Sequence, residues 1–332
     1  MKPHCLFVMD QQFFPLLFDA ADLGRVRSAV RGADEIVGAS DLKSGARSWN
    51  DVELIMASWG MPVLDENLLA RLPRLRAVLY AAGSVKSVVT DASWERGVRI
   101  TSASRANALP TAEFTFATII FSLKRAWSSM ARLRAQQEFE RYTATVPGCY
   151  GSTVGLLSLG KIGRAVARRL ATLDVKTIAY DPYVDEADAR ALGVRLCSLE
   201  EVFATADVVS CHMPLTDETV HGLGRDLFSA MKSGATFINT ARGGIVRENE
   251  LVEVLAARPD LFAVLDVMES EPPRPDCALL ALPNVVATPH IAGSIGLECR
   301  RMGRMMVDEL ERYLAGEALV GEVWQKQLEM LA

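Results

Sequence analysis

The stretch TVGLLSLGKIGRAVARRL, residues 153–170, decides the fold of this chain. Its first half is a nearly continuous apolar run, which predicts a strand over 153–159 that is covered on both faces. A short turn with two glycines follows, and the segment after the turn predicts a helix over about 161–172. A strand, a glycine-containing turn and a helix in this order are typical of a sheet whose strands alternate with helices.

The same rhythm of strand and then helix recurs along two stretches of the chain. In the first stretch, apolar runs predict strands over residues 5–9, 52–58, 75–81 and 98–103. In the second stretch, they predict strands over residues 153–159, 176–180, 207–213, 235–241, 262–268 and 284–290. Strands that alternate with helices pair in parallel through right-handed crossovers. The predicted fold class is therefore α/β, with two doubly wound parallel-sheet domains.

Two long helical patterns lie outside these stretches. One is an amphipathic pattern from about Thr111 to Tyr142, and Pro110 is expected in its first turn. The other runs from about Ser294 to Leu314. We expect them to carry the chain between the two domains, with boundaries near residues 105 and 292.

The bulk composition excludes several classes of protein. The chain has 332 residues, half of them apolar and 23% charged, which is enough for two globular domains. A net charge of −5 gives no reason to expect nucleic acid as a partner, and no apolar run is long enough to span a membrane. The six cysteines are scattered without a C-x-x-C pair, so we expect no metal site and a reducing, cytoplasmic location.

The turn after the strand over 153–159 carries a dinucleotide-binding pattern. Gly160 stands where the backbone would approach the pyrophosphate, and Gly163 stands where the helix packs on the strand. Lys161 and Ile162 begin the helix, whose free N–H groups favour a phosphate. Ser158 occupies a position that is usually glycine, and we expect it to keep a negative φ and offer its hydroxyl to phosphate.

Asp181 lies at the end of the next predicted strand, 18 residues beyond Gly163. A carboxylate in this position accepts hydrogen bonds from the adenosine ribose and repels a 2′-phosphate. The sequence Pro182-Tyr183 that follows contains no cation to reverse this preference. The predicted cofactor is therefore NAD. The alternative is that Asp181 only caps the turn that follows it.

Three further polar segments follow predicted strands, at the sheet edge where open α/β sheets bind ligands. These segments are NTARGG (239–244), DVMESEP (266–272) and PHIAG (289–293). Oxidation of a 2-hydroxy acid needs a base for the hydroxyl proton, and histidine, here His290, suits that task near neutral pH. A paired carboxylate, here Glu271, would fix the tautomer of the imidazole.

A forked, permanent cation is needed for the substrate carboxylate, and Arg242 supplies it. Gly243 and Gly244 are expected to let the backbone turn sharply beside it. Taken singly, each catalytic candidate also has an ordinary structural interpretation, such as a surface salt bridge. Their common position after successive strands makes a site the better interpretation.

These motifs resemble those of the D-isomer-specific 2-hydroxyacid dehydrogenases, the family of phosphoglycerate dehydrogenase and glyoxylate/hydroxypyruvate reductase. The resemblance covers nearly the whole chain. Its motifs are the cofactor turn 153–163, HMPLTDET (212–219), NTARG (239–243), LDVMESEPP (265–273) and PHIAGS (289–294).

The resemblance implies a Rossmann NAD-binding domain over 105–292, and a flavodoxin-like substrate domain over 1–104 and 293–332, with a cleft between them. It implies that Arg242, Glu271 and His290 are catalytic. It also assigns one set of residues to the cofactor and another to the substrate carboxylate. The cofactor set adds Pro214, Thr219, Ala241, Asp266 and Gly293 to the residues of the turn and Asp181, and the substrate set is Gly83, Ser84 and Arg242.

The expected reaction transfers a hydride between NAD(H) and a small D-2-hydroxy or 2-oxo acid, and a homodimer is expected. The identity of the substrate stays open because of two residues of the first domain. Lys86 stands where the family often has aspartate, and the other residue is Trp59. A formate dehydrogenase is an alternative. That subgroup is similar but has glutamine at the position of Glu271, so Glu271 argues against it. An NAD-sensing corepressor is a second alternative, and the short segment after Leu314 argues against its extra tails.

Overall fold

The computed structural model describes residues 2–44, 46–136 and 146–328. The chain divides into two compact units. Among the described residues, the first unit contains those up to Ala108 and those from Ser294 to Leu328, and the second contains those from Leu109 to Gly293. Each unit has its own sheet and its own apolar core.

The strands are numbered along the chain. They are β1 (His4–Val8), β2 (Ile36–Val37), β3 (Val52–Ala57), β4 (Ala77–Tyr80), β5 (Arg99–Ser102), β6 (Thr153–Leu157), β7 (Lys176–Tyr180), β8 (Val194–Leu196), β9 (Val208–Cys211), β10 (Thr236–Asn239), β11 (Phe262–Leu265), β12 (Val285–Ala287) and β13 (Glu322–Val323).

The helices are numbered in the same way. They are α1 (Phe14–Leu17), α2 (Ala20–Ala29), α3 (Ala39–Ser44), α4 (Glu66–Arg71), α5 (Asp91–Glu95), α6 (Ser104–Leu123), α7 (Ala126–Gln136), α8 (Lys161–Leu170), α9 (Glu186–Ala191), α10 (Leu199–Thr205), α11 (Arg225–Ser229), α12 (Glu248–Ala257), α13 (Ala278–Ala281), α14 (Cys299–Ala315) and α15 (Gln325–Leu328).

The sheet of the first unit has the order β2-β1-β3-β4-β5-β13, and only the edge strand β13 is antiparallel to its neighbour. Its central strands are buried on both faces. In β1, Leu6 and Val8 belong to one apolar cluster while Cys5 and Phe7 belong to another, so the two clusters lie on opposite faces of the sheet. This is why the strand is a continuous apolar run rather than an alternating one.

The sheet of the second unit has the order β12-β11-β10-β9-β6-β7-β8, and all its pairs are parallel. The order reverses direction between β6 and β9, and such a reversal opens a crevice at the carboxyl ends of those strands. The two doubly wound sheets confirm the predicted α/β fold class.

The long helical pattern begins and ends differently from the prediction. α6 starts at Ser104, so Pro110 lies inside the helix rather than in its first turn. Burial of a stripe of residues along α6, from Ala108 to Leu123, offsets the hydrogen bond that a proline nitrogen cannot donate. The helix breaks after Leu123, where Arg125 has a φ of 49°, and the part of the prediction over 137–142 lies outside the described residues.

None of the helices in residues 2–44, 46–136 and 146–328 is both long and apolar enough to cross a membrane.

Candidate active site

Three loops of the second unit meet at the carboxyl edge of its sheet. The register aligns Asn239 with Leu265 and Leu265 with Ala287, so the loops after β10, β11 and β12 begin side by side. These loops carry the three residues that the sequence predicts to be catalytic.

The structure brings His290 and Glu271 into direct contact. Nδ1 of His290 lies 2.7 Å from Oε2 of Glu271, which is a short distance for a hydrogen bond of this kind. The two side chains are 50% and 39% exposed, so the imidazole remains open to an incoming molecule. Its Nε2 edge can exchange a proton there, while Glu271 fixes the orientation of the ring.

Asp266 holds the loop that carries His290. The carboxylate is buried and accepts hydrogen bonds from Oγ1 of Thr288 at 2.6 Å and from the backbone N–H groups of Ile291 and Ala292 at 2.8 and 2.9 Å. The backbone N–H of His290 donates to the carbonyl of Asp266 at 2.9 Å. These bonds hold His290 at a φ of 53°, a left-handed conformation that non-glycine residues rarely adopt.

Arg242 follows β10 in a turn that is fixed by Asn239. Nδ2 of Asn239 donates to the carbonyl of Arg242 at 3.0 Å, and its Oδ1 accepts from the backbone N–H of Ala241 at 3.0 Å. Burial lowers the pKa of Arg242 from its usual value, and the negative charge of Glu271 opposes that shift. The guanidinium is thus partly desolvated and lies within electrostatic reach of the carboxylate that orients His290.

The turn after β6 fits the pyrophosphate of a dinucleotide. A Cβ on Gly163 would lie 2.1 Å from the carbonyl oxygen of Ser158, so only glycine allows α8 to pack this closely on the turn. A Cβ on Gly160 would meet only the Ser158 hydroxyl, at 3.8 Å, so the space beside Gly160 is open to a ligand. Gly160 is the N-cap of α8, and the first residues of that helix, Lys161 and Ile162, follow it.

The expectation for the backbone of Ser158 is wrong. Its φ is +79°, in the region that glycine adopts without strain, because the chain makes the same tight turn that a glycine normally makes at this position. Its hydroxyl lies 3.3 Å from Oδ2 of Asp181.

Asp181 connects the cofactor turn to the turn that follows β7. Its Oδ2 accepts from the backbone N–H of Leu159 at 2.7 Å, and its Oδ1 accepts from those of Tyr183 and Val184 at 2.9 and 3.2 Å. The carboxylate therefore caps the turn, as the structural alternative requires. Its position beside the cofactor turn is also the one that ribose recognition requires.

The loop after β9 lies across β6 from Asp181. Oγ1 of Thr219 donates to the carbonyl of Pro214 at 2.6 Å and accepts from the backbone N–H of Thr216 at 2.9 Å, which closes the loop into a turn. The two other residues assigned to the cofactor are Ala241, which is buried beside Arg242, and Gly293, which ends the second unit.

Other predicted residues lie in the first unit. Gly83 and Ser84 follow β4, and the carbonyl of Gly83 accepts a hydrogen bond from the Ser102 hydroxyl. Lys86 is exposed. Trp59 packs its ring against Phe13 at a centroid distance of 4.9 Å and lies against the core.

Sequence reasoning missed the residues whose hydrogen bonds hold the loops of the site in place. Asn239 fixes the backbone around Arg242, and Thr288 bonds to Asp266, which holds the loop of His290 at its positive φ. Asn239 directly before the TARG segment was the available signal, since an asparagine at the end of a strand commonly binds the backbone two residues on. A left-handed histidine leaves no comparable trace in a sequence.

Comparisons with known proteins identify relatives of this chain. Residues 116–292 match the family model of the D-isomer specific 2-hydroxyacid dehydrogenase, NAD binding domain. The D-3-phosphoglycerate dehydrogenase of Archaeoglobus fulgidus is 32% identical over 76% of this chain and 48% of the relative. The (S)-sulfolactate dehydrogenase of Chromohalobacter salexigens is 37% identical over 77% of this chain and 82% of the relative. The structure of a glyoxylate reductase from Paecilomyes thermophila superposes with a TM-score of 0.79 at 25% identity, over 98% of this chain and 100% of that one.

The sheet order and the glycine-containing turn define a dinucleotide-binding α/β protein. The chain belongs to the D-isomer specific 2-hydroxyacid dehydrogenase family, and residues 116–292 are the family's NAD-binding domain. The chain spans about half the length of the phosphoglycerate dehydrogenases that it matches.

Proposed function

We propose that this protein is an NAD-dependent dehydrogenase of small D-2-hydroxy acids, with Arg242, Glu271 and His290 as its catalytic residues. The observation that carries the proposal is the 2.7 Å contact between His290 and Glu271 on loops at the carboxyl edge of the NAD-binding sheet. We also propose residues 105–292 as the cofactor domain, and 1–104 with 293–332 as the substrate domain.

Bound NAD would supply or accept the hydride. Gly160, Lys161, Ile162 and Asp181 would hold the pyrophosphate and the ribose. In the reductive direction, His290 would donate a proton from Nε2 to the carbonyl oxygen of the 2-oxo acid, and in the oxidative direction it would take that proton back.

Glu271 would stabilise the imidazolium that forms in the oxidative direction and keep the ring in place. Arg242 would bind the substrate carboxylate through its forked donors, and its partial burial strengthens that attraction. Gly83 and Ser84 are proposed as further carboxylate-binding residues of the first unit.

The test is a screen of 2-oxo acids with NADH oxidation followed by absorbance. The panel contains glyoxylate, hydroxypyruvate, 3-phosphohydroxypyruvate, 3-sulfopyruvate and branched 2-oxo acids, so that it includes phosphate and sulfonate groups suggested by the names of the relatives. At least one substrate should be reduced, and H290N should lower its kcat by roughly 100-fold or more while NADH still binds.

His221 provides a matched control for this variant. Its Nε2 lies 2.9 Å from Oε1 of Glu269, and this second histidine–glutamate pair is exposed to a similar degree as the first. H221N should therefore keep most of the activity. If H290N and H221N retain equal activity, the assignment of the proton donor is wrong, and if no 2-oxo acid is reduced the proposed reaction fails.

We further propose a homodimer in the cytoplasm. On α6 and α7, Phe121, Met130 and Leu133 are each more than 40% exposed, and the rings of Phe121 and Trp127 lie 5.0 Å apart. A second copy of the chain is the proposed cover for this apolar face, since exposed apolar patches mark interaction surfaces. Sedimentation should give a dimer, and M130E together with L133E should give a monomer. The cytoplasmic location is proposed because the cysteines are scattered.

A further inference from the structure

A side-chain bridge joins two loops of the second unit on opposite sides of β6. The phenol of Tyr183 donates to Oε2 of Glu218 at 3.1 Å. Tyr183 lies in the turn after β7, and Glu218 lies in the loop after β9. Because the sheet order is β9-β6-β7, the loops that carry them flank the carboxyl end of β6.

The bridge therefore spans the crevice into which a dinucleotide binds. Neighbouring strands lie about 4.8 Å apart, so β7 and β9 are separated by about 10 Å with β6 between them. The turn over 158–163 occupies the position after β6. Ligands of open α/β sheets bind above this point, where the strand order reverses.

Hydrogen bonds fix both ends of the bridge. The backbone N–H of Tyr183 donates to Oδ1 of Asp181 at 2.9 Å. On the other side, Thr219 closes the turn next to Glu218 by bonding to the carbonyl of Pro214. Each turn is thus closed by its own hydrogen bonds, and the side-chain bond links the two turns across the crevice.

The Tyr183 ring contributes little to the stability of the fold. It is 74% exposed, so it buries little apolar surface, and a single exposed hydrogen bond contributes little to stability. Ordering a large side chain in this position also costs conformational entropy. An aromatic ring held over a ligand crevice by a carboxylate is instead well placed to contact a planar base.

We propose that Tyr183 and Glu218 form a strap that closes over the adenosine half of NAD. The strap is tied to the turn of Asp181, the residue proposed to bind the adenosine ribose, so it covers this half and leaves the nicotinamide half free. It depends on the binding of NAD by the second unit and not on the identity of the substrate.

The test measures binding of NADH by its fluorescence, without any substrate. Y183F removes only the hydroxyl of the strap and should raise the Kd of NADH roughly three- to tenfold. The matched control is Y150F, because Tyr150 is 85% exposed and precedes β6, at the amino-terminal end of that strand and away from the crevice. Y150F should bind NADH as the unchanged protein does.

Two further measurements locate the effect. ADP-ribose should lose affinity for Y183F by the same factor as NADH, whereas nicotinamide mononucleotide should bind both proteins equally. The double variant Y183F/E218A should bind NADH no more weakly than E218A alone, because both changes break the same bond.

Equal NADH affinities of Y183F and Y150F would overturn the strap, and so would tighter binding by Y183F, since the bridge would then obstruct the crevice. A fall in thermal stability of Y183F without a change in Kd would assign the bond to folding only and would also overturn it. A protein that reduces no 2-oxo acid but shows these binding changes would contradict the proposed reaction and leave the strap intact.

Discussion

Gly243 lies directly against the backbone of Met268. A Cβ on Gly243 would stand 2.0 Å from the carbonyl carbon of Met268, a distance that no packed structure tolerates. The chain turns sharply here, since a 3-10 turn spans Gly243–Ile245, but the φ of Gly243 is not positive, so it is the close approach that requires a glycine. Through this contact the turn of Arg242 packs directly against the loop that leads to Glu271.

We predict that G243A separates these two loops. It should lower the free energy of unfolding by about 1–3 kcal/mol, because the added methyl group forces the backbone apart. It should also lower kcat/KM, since Arg242 and Glu271 depend on this contact. The matched control is G244A, whose Cβ would meet only the Leu215 side chain at 3.4 Å. Chemical denaturation and initial rates test both variants, and equal behaviour of the two would contradict the prediction.

The second prediction concerns Asp266, which the family resemblance assigns to the cofactor and the structure ties to the loop of His290. D266N should lower kcat, because Ile291 and Ala292 donate to different oxygens of the carboxylate, and an amide NH2 in place of either oxygen would face one of these two N–H groups. T288V removes a single bond to the same carboxylate and should lower kcat by a smaller factor. An unchanged kcat in T288V, with a raised Kd for NADH in D266N, would show that Asp266 acts on the cofactor alone.

The apolar runs were sufficient to predict ten strands, and the structure confirms each of them. Within residues 2–44, 46–136 and 146–328, three strands were missed, namely β2, β8 and β13, which contain two or three residues and each lie at the edge of a sheet. So few residues show no periodicity. Several predicted strands also ran too far at their carboxyl ends, as 284–290 did, because the loop that carries His290 leaves the sheet after Ala287.

The candidate site was predictable only in its residue types and its edge of the sheet. Parallel strands carry their following loops to one edge, so Glu271 and His290 could be expected in one region, and they lie 2.7 Å apart. Their chemical roles, and that of Arg242, stay predictions. The positive φ of Ser158 was not predictable, because a serine in place of the usual glycine suggests a backbone with a negative φ. The structure instead keeps the tight turn that is usual for glycine, with Gly163 packed closely on the carbonyl of Ser158.

A third prediction follows from the strain at Ser158. At a φ of +79° a residue with a Cβ is disfavoured by about 1–2 kcal/mol relative to glycine. S158G should therefore raise the free energy of unfolding by about 0.5–1 kcal/mol, because the more flexible unfolded chain offsets part of the relief. S158A is the control, since it keeps the strain and loses the 3.3 Å contact with Asp181. Thermal unfolding that places S158G below S158A would show that strain is not the dominant effect.

The last prediction concerns acid stability and rests on His212. This side chain is buried, its Nε2 lies 3.1 Å from the Ser210 hydroxyl and its Nδ1 has no hydrogen-bond partner among the described residues. Burial lowers the pKa of His212 from 6.5 to about 3. The folded protein therefore keeps the ring neutral where the unfolded chain takes up a proton.

The sign of the effect follows from this difference. Above pH 6.5 the ring is neutral in both states, and as the pH falls toward 3 the unfolded state gains the proton first, so stability falls by up to about 1.4 kcal/mol per pH unit. H212N cannot bind that proton. The variant should be less stable than the unchanged protein near pH 7, because the substitution removes packing of the buried ring. The difference in the free energy of unfolding between the two proteins should narrow as the pH is lowered to about 4. Urea unfolding at several pH values measures this difference, and a difference that stays constant would show that His212 takes up its proton equally in both states.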